Sequence, residues 1–498
     1  MRQIFETPVN DASAAARWFS SPAPSKRPHH IEYLAAGGAG VLILLLLVHP
    51  VAAEIVAAVA AATIILPWAV YRTSSHPSWL LIVIVLIEAV AATTFVSGSD
   101  EQIGAFIRYP LEILFVAPFV PALWKSEVLR QGGFRDYSIY LIWALASVAY
   151  SILPKVSFVH AIGAILPFCA LCVIAEELRS GKDARRVMGV FLAACGIVVA
   201  LNYLSLLIPT DMTWQIDPDS GMMRFAGFFV EPNEIGGLVL ATLGAGFAYW
   251  PGASRPMKAL TAITMLGALL QCVMADSRSP LIALAIGCAV YLMFRWRIKG
   301  LVAVAAAFAI FYCVAEFAAP GLQIYLNRGD VASFTGRQEA WDFAVQQVKQ
   351  KPILGYGYEV EGQVLANPHF SGWDEVWNLG YQSSLHDGYV SRAVSLGVPA
   401  LIFWLFITLR PAVSCLLSKR DPWRLRSIVP LSLLPVLILN FTESIYDFRS
   451  FSGLLMALAW AVLERERLFA AEQAVMRTQA EEASKLPIVR ALQGGKAS

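Results

Sequence analysis

The sequence predicts an all-α membrane protein, a polytopic bundle of transmembrane helices, and three observations support this class. Of the 498 residues, 57% are apolar and 15% are charged, whereas an average soluble domain has roughly 45–50% apolar and about 25% charged residues. The mean hydropathy is +0.59. The apolar residues occur in runs of about 17–22, long enough to cross a bilayer core at about 1.5 Å per residue. A water-soluble globule and an intrinsically disordered chain are both disfavoured.

The apolar runs predict about 14 spans, with 12 or 13 as the alternatives. They lie at about 31–48, 51–70, 78–97, 103–123, 137–153, 156–175, 187–208, 233–250, 257–275, 279–294, 300–318, 388–408, 428–443 and 451–465. We interpret the first run as an uncleaved helix because its polar lead is long and another span follows at once. This divides the chain into an N-terminal tail (1–30), a transmembrane region (31–465) and a C-terminal tail (466–498).

Lysine and arginine residues alternate between loops and so orient the spans. Cytoplasmic loops are enriched in these residues, and every second loop here carries them: Arg72, Lys125, Arg130, Arg135, Arg179, Lys182, Arg185, Arg186, Arg255, Lys258, Arg295, Arg297, Lys299, Arg410, Lys419, Arg420, Arg424 and Arg426. Both termini are therefore predicted to be cytoplasmic. The net charge of +2 offers no electrostatic basis for binding nucleic acid.

The opposite side carries a loop at 319–387 that is too long to be a plain connector, and such loops are usually functional. Thr335-Gly336-Arg337-Gln338 has the spacing of a helix capping box. Apolar residues follow at helical spacing, namely Trp341, Ala344, Val345 and Val348. This pattern predicts a short amphipathic helix that Pro352 ends, with its apolar face on the bundle or on the lipid surface.

Arg224 precedes Glu231-Pro232-Asn233, where a span begins on the same side as the long loop. A proline at a helix start is normal, and the helix N-terminus carries a partial positive charge. An arginine beside such a terminus is a candidate anion site. The alternative is an arginine that anchors the loop at the membrane interface.

Arg278 lies between two apolar runs that are separated by almost no loop. An arginine this close to hydrocarbon must be paired or must extend to the interface. It is therefore either a partner of Asp276 or a second ligand for a phosphate group.

His386 lies where the span after the long loop begins, and histidine can transfer a proton near neutral pH. Asp387 is either its partner or the N-cap of the following helix, and the N-cap is favoured. The motif Asp217-Pro218-Asp219 resembles a metal-binding Asp-x-Asp, but its proline favours a turn, and no metal or other cofactor is predicted.

Four charged residues lie within the early spans: Glu54, Glu88, Arg108 and Glu112. Arg108 and Glu112 are four residues apart and can neutralise each other on one helix face. A structural ion pair is favoured. The alternative is a proton pathway, which would make the protein a transporter.

Four motifs in residues 190–410 make the sequence similar to the O-antigen ligase and polymerase superfamily. They are Arg224-Phe-Ala-Gly227 with Glu231-Pro232-Asn233; Ser277-Arg278-Ser279; Thr335-Gly336-Arg337 with Trp341 and Pro352-x-x-Gly355-Tyr356-Gly357; and His386-Asp387-Gly388-Tyr389 with Gly397. Their order, with a large outer loop between the second and fourth, is more specific than any one motif. The family commonly has His-Asn where this chain has His386-Asp387.

The resemblance implies a metal-independent membrane glycosyltransferase in the bacterial inner membrane with a periplasmic active site. Such enzymes take a glycan from undecaprenyl diphosphate and pass it to an acceptor hydroxyl. Besides this lipid-linked glycan and its acceptor, membrane lipids and other polysaccharide assembly proteins are the expected partners. A polymerase extends lipid-linked repeat units into exopolysaccharide or O-antigen. A ligase transfers the glycan to lipid A core.

The reaction that the resemblance implies assigns roles to six residues. Negative charge develops on the departing diphosphate, and preorganised cations stabilise it strongly where water is scarce. Arg224 and Arg278 are the best candidates and Arg337 is the third. His386 is the candidate base for the acceptor hydroxyl or, if protonated, a further diphosphate ligand. Glu231 and Asp387 are substitute bases.

The leading hypothesis is an inverting polymerase. The alternatives are a ligase, a transporter and a non-catalytic scaffold.

Overall fold

The structure is a computed structural model, and the description below is confined to the residues it describes. These are 77–92, 108–109, 111–113, 115–116, 123, 126–207, 213–216, 223–229, 231–313, 337–365, 385–418, 423, 425–443, 445, 448 and 450–485. The predicted spans at 31–48 and 51–70 lie outside this part of the chain. So do Glu54, Asp217, Asp219 and Thr335.

The described residues are mainly helical, which confirms the all-α class. In chain order the helices are α1 (Leu80–Ala91), α2 (Gly132–Ala146), α3 (Pro154–Ala175), α4 (Gly181–Leu204), α5 (Pro232–Tyr249), α6 (Arg255–Met274), α7 (Ser279–Trp296), α8 (Ile298–Cys313), α9 (Arg337–Gln350), α10 (Glu361–Leu365), α11 (Gly388–Leu396), α12 (Val398–Leu417), α13 (Leu434–Leu439, preceded by a π-helical turn at Val429–Leu433) and α14 (Phe451–Lys485). Two short strands, β1 (Trp214–Ile216) and β2 (Met223–Phe225), pair antiparallel before α5.

Six of the described helices are long and apolar enough to cross a membrane: α3, α4, α5, α6, α7 and α12. The bounds of α3, α5, α6 and α7 agree closely with the predicted runs because an uninterrupted apolar segment of this length is a strong sequence pattern. The helices α1 and α13 are apolar but shorter. The total of about 14 spans stays a prediction.

Three of the basic loops that were predicted to share one side are connected at one end of the bundle. The carboxylate of Glu464, which is fully buried in α14, accepts a hydrogen bond from Gly133 N at 2.6 Å and pairs with Arg410 at 3.5 Å. Arg185 donates to the carbonyl of Trp423 at 3.3 Å. These contacts join the loops before α2, before α4 and after α12, and the orientation of the whole set of loops stays a prediction.

The predicted span at 388–408 is instead two helices, α11 and α12, which are separated by Gly397. This glycine has φ +84°, which a continuing helix cannot contain. A Cβ at this position would lie 2.2 Å from the carbonyl oxygen of Ile353, so the chain break is also a site of close backbone approach. Val398 N donates to the carbonyl of Pro352 at 2.8 Å and ties the break to the outer loop.

The predicted amphipathic helix is present as α9, and its apolar face packs on protein. Ala340, Phe343 and Ala344 are buried in a cluster with residues of the following loop and of α11. The indole of Trp341 donates to the carbonyl of Leu385 at 2.9 Å, immediately before His386. Val345, which was predicted on the same face, is 41% exposed because the buried stripe follows positions 340, 343 and 344.

Residues 355–361, which we call the anchor segment, fix the loop after α9 to the bundle. Gly355 and Gly357 have φ +67° and +119°, as expected for the predicted tight turn. Tyr356 N donates to the carbonyl of Val394 in α11 at 2.9 Å, and Ile152 N donates to the carbonyl of Tyr356 at 3.0 Å. The outer loop is therefore bonded both to α11 and to the turn before α3.

Two carboxylates strengthen this attachment. Glu359 pairs with His160 of α3 at 2.9 Å, and its side chain is only 2% exposed. Glu361 accepts a hydrogen bond from the hydroxyl of Ser395 in α11 at 3.0 Å. Burial raises the pKa of Glu361 to about 7, although Ser395 and the nearby Arg392 oppose the shift.

The raised pKa of Glu361 makes the stability of the fold depend on pH. Because the folded state holds this proton more tightly than the unfolded state does, stability falls as the pH rises from the unfolded value of 4.5 through about 7. We expect Glu361→Gln to stabilise the protein at pH 8, by at most about 3 kcal/mol, and to have little effect near pH 5. Thermal unfolding of the detergent-solubilised protein between pH 5 and 8 measures this. An equal pH profile for wild type and variant would contradict it, and Glu472→Gln, at an exposed position, is the control.

Candidate active site

The turn between α6 and α7 places Arg278 at the start of α7 with almost no intervening loop. Asp276 has φ +51°, a conformation that aspartate tolerates better than most residues. Ser277 N donates to the carbonyl of Cys272 at 3.2 Å and Asp276 N to that of Val273 at 3.1 Å. This pair of bonds is a Schellman motif, which closes α6 and reverses the chain. Arg278 is half-buried at the N-cap position of α7.

Arg224 reaches this turn from the strand pair. Its backbone pairs with Gln215 across the strands. Its Nε donates to the carbonyl of Ala275 at 3.0 Å, and its Nη2 donates to Oδ1 of Asn233 at 3.0 Å. The guanidinium thus joins the end of α6, three residues before Arg278, to the first turn of α5. These two hydrogen bonds anchor the loop that carries Arg224, which was the alternative interpretation of this residue. They also hold Arg224 beside the turn that carries Arg278.

The first turns of α5 and α7 are packed directly together. A Cβ on Gly236 would lie 2.6 Å from both the hydroxyl of Ser277 and Cγ of Pro280. Both helix N-termini therefore direct their partial positive charges toward the same end of the bundle. We call Arg224, Arg278 and these two helix turns the cationic cluster.

Two buried amides that the sequence analysis did not identify support this cluster. Phe228 N donates to Oδ1 of Asn202 at 2.8 Å, and a Cβ on Gly227, with φ +63°, would lie 1.8 Å from the same oxygen. The amide of Asn202 donates to Gln271 at 3.3 Å, and Gln271 donates to the carbonyl of Val199 at 2.8 Å. A polar residue inside an apolar span is a sequence pattern that could have revealed both positions.

His386 pairs with Glu443. Its Nδ1 lies 3.3 Å from Oε2 of Glu443, and both side chains are 24% exposed. His386 has φ +47° and immediately precedes the first turn of α11. Glu443 lies in the connection between α13 and α14, where sequence analysis assigned it no role because 57 residues separate it from the histidine.

The favoured interpretation of Asp387 as a helix cap is confirmed. Its Oδ1 accepts hydrogen bonds from Tyr389 N at 2.8 Å and from Val390 N at 3.0 Å. Burial raises the pKa of Asp387, against the effect of these two bonds. Glu231 is exposed and directly precedes α5, and Arg337 is the first residue of α9.

In the glycan transfer that the sequence resemblance implies, we expect Asp387→Asn to lower the rate by no more than about threefold, because an asparagine oxygen caps a helix as well as a carboxylate does. Asp387→Ala should instead lower the free energy of unfolding by about 1 kcal/mol and displace His386. Transfer rates and melting temperatures of the two variants measure this. A loss of more than about 100-fold for the asparagine variant, with an unchanged melting temperature, would contradict the capping role.

The His386–Glu443 pair and the cationic cluster lie at the same end of the bundle. The hydroxyl of Ser432 donates to the carbonyl of Gly244 in the second half of α5, so the chain from Ser432 through α13 runs toward the start of α5. At that end, the ring centroids of Phe229 and Phe451 are 5.7 Å apart. Glu443 belongs to the short connection between α13 and Phe451, and it therefore lies toward the end of the bundle where α5 begins.

The charges in the early spans are paired where the structure describes them. Arg108 forms ion pairs with Glu88 and, at 3.0 Å, with Glu112, and all three side chains are buried. These contacts are the structural ion pairing that the sequence analysis favoured over a proton pathway.

The fold and the site define a multi-pass helical membrane protein that has a cationic cluster and a histidine–carboxylate pair toward the same end of the bundle. Residues 262–405, which include the helices from α7 to α11 and the beginning of α12, match the family model described as O-antigen ligase. The predicted resemblance to the O-antigen ligase and polymerase superfamily is thereby confirmed.

Two relatives extend the match beyond this region. The exopolysaccharide production protein ExoQ of Rhizobium meliloti is 24% identical over 338 residues, which cover 63% of this chain and 72% of the relative. An O-antigen ligase of Pseudomonas aeruginosa is 29% identical over 301 residues, which cover 54% of this chain and 68% of the relative.

Proposed function

We propose that this protein polymerises lipid-linked oligosaccharide repeat units into exopolysaccharide or O-antigen. The observation that carries the proposal is the position of Arg224, Arg278 and His386 at one end of the bundle. The similarity to an exopolysaccharide production protein and to an O-antigen ligase supports polysaccharide assembly in general. The reaction is an inverting, metal-independent glycosyl transfer at the periplasmic face of the bacterial inner membrane, with both termini in the cytoplasm.

The cationic cluster suits the leaving group of this reaction. Cleavage of a glycosyl–diphosphate bond leaves two negatively charged phosphates on the lipid. Fixed cations and helix N-termini that face this charge stabilise the transition state because they need no reorganisation during the reaction. Arg224 is held by two hydrogen bonds and Arg278 by its position at a helix start. Arg337, at the start of α9, is the third proposed ligand.

His386 is suited to activating the hydroxyl group of the acceptor. In the proposed reaction its imidazole accepts the proton of the acceptor hydroxyl as the oxygen attacks the anomeric carbon from the face opposite the diphosphate. One displacement of this kind inverts the configuration of that carbon. Glu231, exposed at the start of α5, is the alternative base, and a protonated His386 that binds the diphosphate is the alternative role for the histidine. Asp387 contributes by capping α11 next to His386.

A ligase is the second candidate because one relative is an O-antigen ligase. Polymerase and ligase use the same donor chemistry and differ in the acceptor, which is a lipid-linked repeat unit for one and lipid A core for the other. The cationic cluster and His386 would keep the same roles in both.

One reconstitution experiment separates these activities. Purified protein is incubated with undecaprenyl-diphosphate-linked repeat units, with and without lipid A core, and the products are resolved as a ladder. Long chains without lipid A core indicate a polymerase, and a product formed only with lipid A core indicates a ligase. If neither product forms, while vesicles that contain the protein translocate the lipid-linked glycan, the proposal is wrong and the protein is a transporter.

A further inference from the structure

We infer that Glu443 is a positioning residue that orients His386 and stabilises its charge during glycan transfer. The inference deepens the proposed function and rests on it. No motif in the sequence points to Glu443, and the inference comes from its contact with Nδ1 of His386 at 3.3 Å. The side chains of His386 and Glu443 are each 24% exposed, so the pair is partly shielded from water while remaining accessible to a substrate.

The backbone around both residues is fixed by direct bonds between their segments. Gly388 N donates to the carbonyl of Asn440 at 2.8 Å, two residues after His386 and three before Glu443. Oδ1 of Asn440 accepts a hydrogen bond from Ile445 N at 3.0 Å, which closes the turn around Glu443. A Cβ on Gly388 would lie 2.0 Å from the same Oδ1, so only glycine allows this approach.

A buried arginine joins the two segments a second time. Arg392 is 2% exposed, and its Nη1 donates to the carbonyl of Gly388 at 2.9 Å while its Nη2 donates to that of Ile445 at 2.8 Å. Its guanidinium also lies 4.0 Å from the ring centroid of Trp404. These contacts fix the segments that carry His386 and Glu443 relative to each other. The fold therefore holds the two side chains close together.

This geometry assigns the two ring nitrogens of His386 different roles. A proton on Nδ1 faces the carboxylate of Glu443, and Nε2 is then the nitrogen that takes the proton of the acceptor. As the acceptor oxygen bonds to the anomeric carbon, its proton moves to Nε2, and the electron pair of the broken carbon–oxygen bond leaves with the lipid diphosphate. The imidazolium that forms is stabilised by Glu443 and then releases its proton to water or to the departing diphosphate. Glu443 does not itself take the proton of the acceptor, as in other histidine–carboxylate pairs.

The test is a double-mutant cycle on the purified full-length protein, with lipid-linked repeat units as the substrate. Glu443→Gln keeps the shape of the side chain but removes its charge. We expect it to lower kcat by about 100-fold or more while KM changes less than about threefold. Glu443→Asp should restore part of this loss because it restores the carboxylate. Since Glu443 acts through His386, the double variant with His386→Ala should be no slower than His386→Ala alone.

Glu359→Gln is the matched control because it breaks a second histidine–glutamate pair, with His160, outside the site. If the role of Glu443 were only structural, both glutamine variants would have a lower melting temperature. The loss of rate in Glu443→Gln would then add to the loss in His386→Ala. If His386→Ala is inactive but Glu443→Gln keeps the wild-type kcat, or if the two losses are additive, the inference about Glu443 is wrong and the proposed function stands. If His386→Ala keeps the wild-type rate, the proposed role of His386 fails, and the role of Glu443 fails with it.

Discussion

Replacement of Arg278 by alanine is expected to lower the rate of polymer formation by about 100- to 1,000-fold, the effect of removing one preorganised electrostatic group from an active site. Arg278 is half-buried at the N-cap of α7, in the turn that Arg224 contacts through the carbonyl of Ala275. Without this guanidinium, the charge that develops on the diphosphate would be met by one fewer cation. Polymer length in cells and the initial rate with purified lipid-linked repeat units both measure the effect.

The control for this substitution lies on the same helix. Arg295 is exposed in the last turn of α7, at the opposite end from Arg278. We expect Arg295→Ala to keep the wild-type rate and polymer length, and Arg278→Lys to recover part of the activity because it restores the charge but not the planar donor geometry. If Arg278→Ala yields long polymer at a normal protein level, the proposed diphosphate site is wrong.

Replacement of Gly236 by alanine is expected to inactivate the protein through the position of Arg278. The added Cβ would lie 2.6 Å from the hydroxyl of Ser277 and from Cγ of Pro280, well inside van der Waals contact. The start of α7 must therefore move away from α5, and Arg278 moves with it. A displacement of about 1 Å in an active site can reduce the rate by about 100-fold. We also expect a loss of about 1–3 kcal/mol in the free energy of unfolding because of overpacking.

The neighbouring residue provides a matched control. A Cβ on Gly237 would lie 3.6 Å from the hydroxyl of Ser452, an ordinary contact. Gly237→Ala should therefore keep its activity, and it should gain up to about 1 kcal/mol of stability because alanine favours a helix interior over glycine. Transfer rates and melting temperatures of the two variants give the comparison. Equal activities would show that the contact between α5 and α7 does not position the site.

The sequence predicted the long helices well and the chain reversals poorly. The runs at 156–175, 233–250, 257–275 and 279–294 correspond to α3, α5, α6 and α7 within a few residues. Length and hydropathy suffice for such helices because an unsatisfied backbone in a membrane is costly. The break at Gly397 was not predicted because glycine is tolerated within apolar spans, and its positive φ depends on the approach of Ile353. The β1–β2 pair likewise depends on contacts made by Arg224.

The sequence predicted the site in part. Arg224, Arg278 and His386 were identified because charged or titratable residues at the ends of apolar runs are unusual. Glu443 was not identified, since its relation to His386 depends on how α11 and α13 are packed. Asn202 and Gln271 stand out as polar residues within apolar spans, but only the fold shows that they hold the turn at Phe228.

The last helix, α14, connects the two ends of the bundle without interruption. It has 35 residues, from Phe451 to Lys485, and so extends about 50 Å, well beyond the roughly 30 Å of a bilayer core. Phe451 contacts Phe229 next to the first turn of α5, while Glu464 holds the loops at the far end. Beyond Phe469, which packs against Trp423, the helix continues for roughly another 24 Å past the contacts that hold these loops.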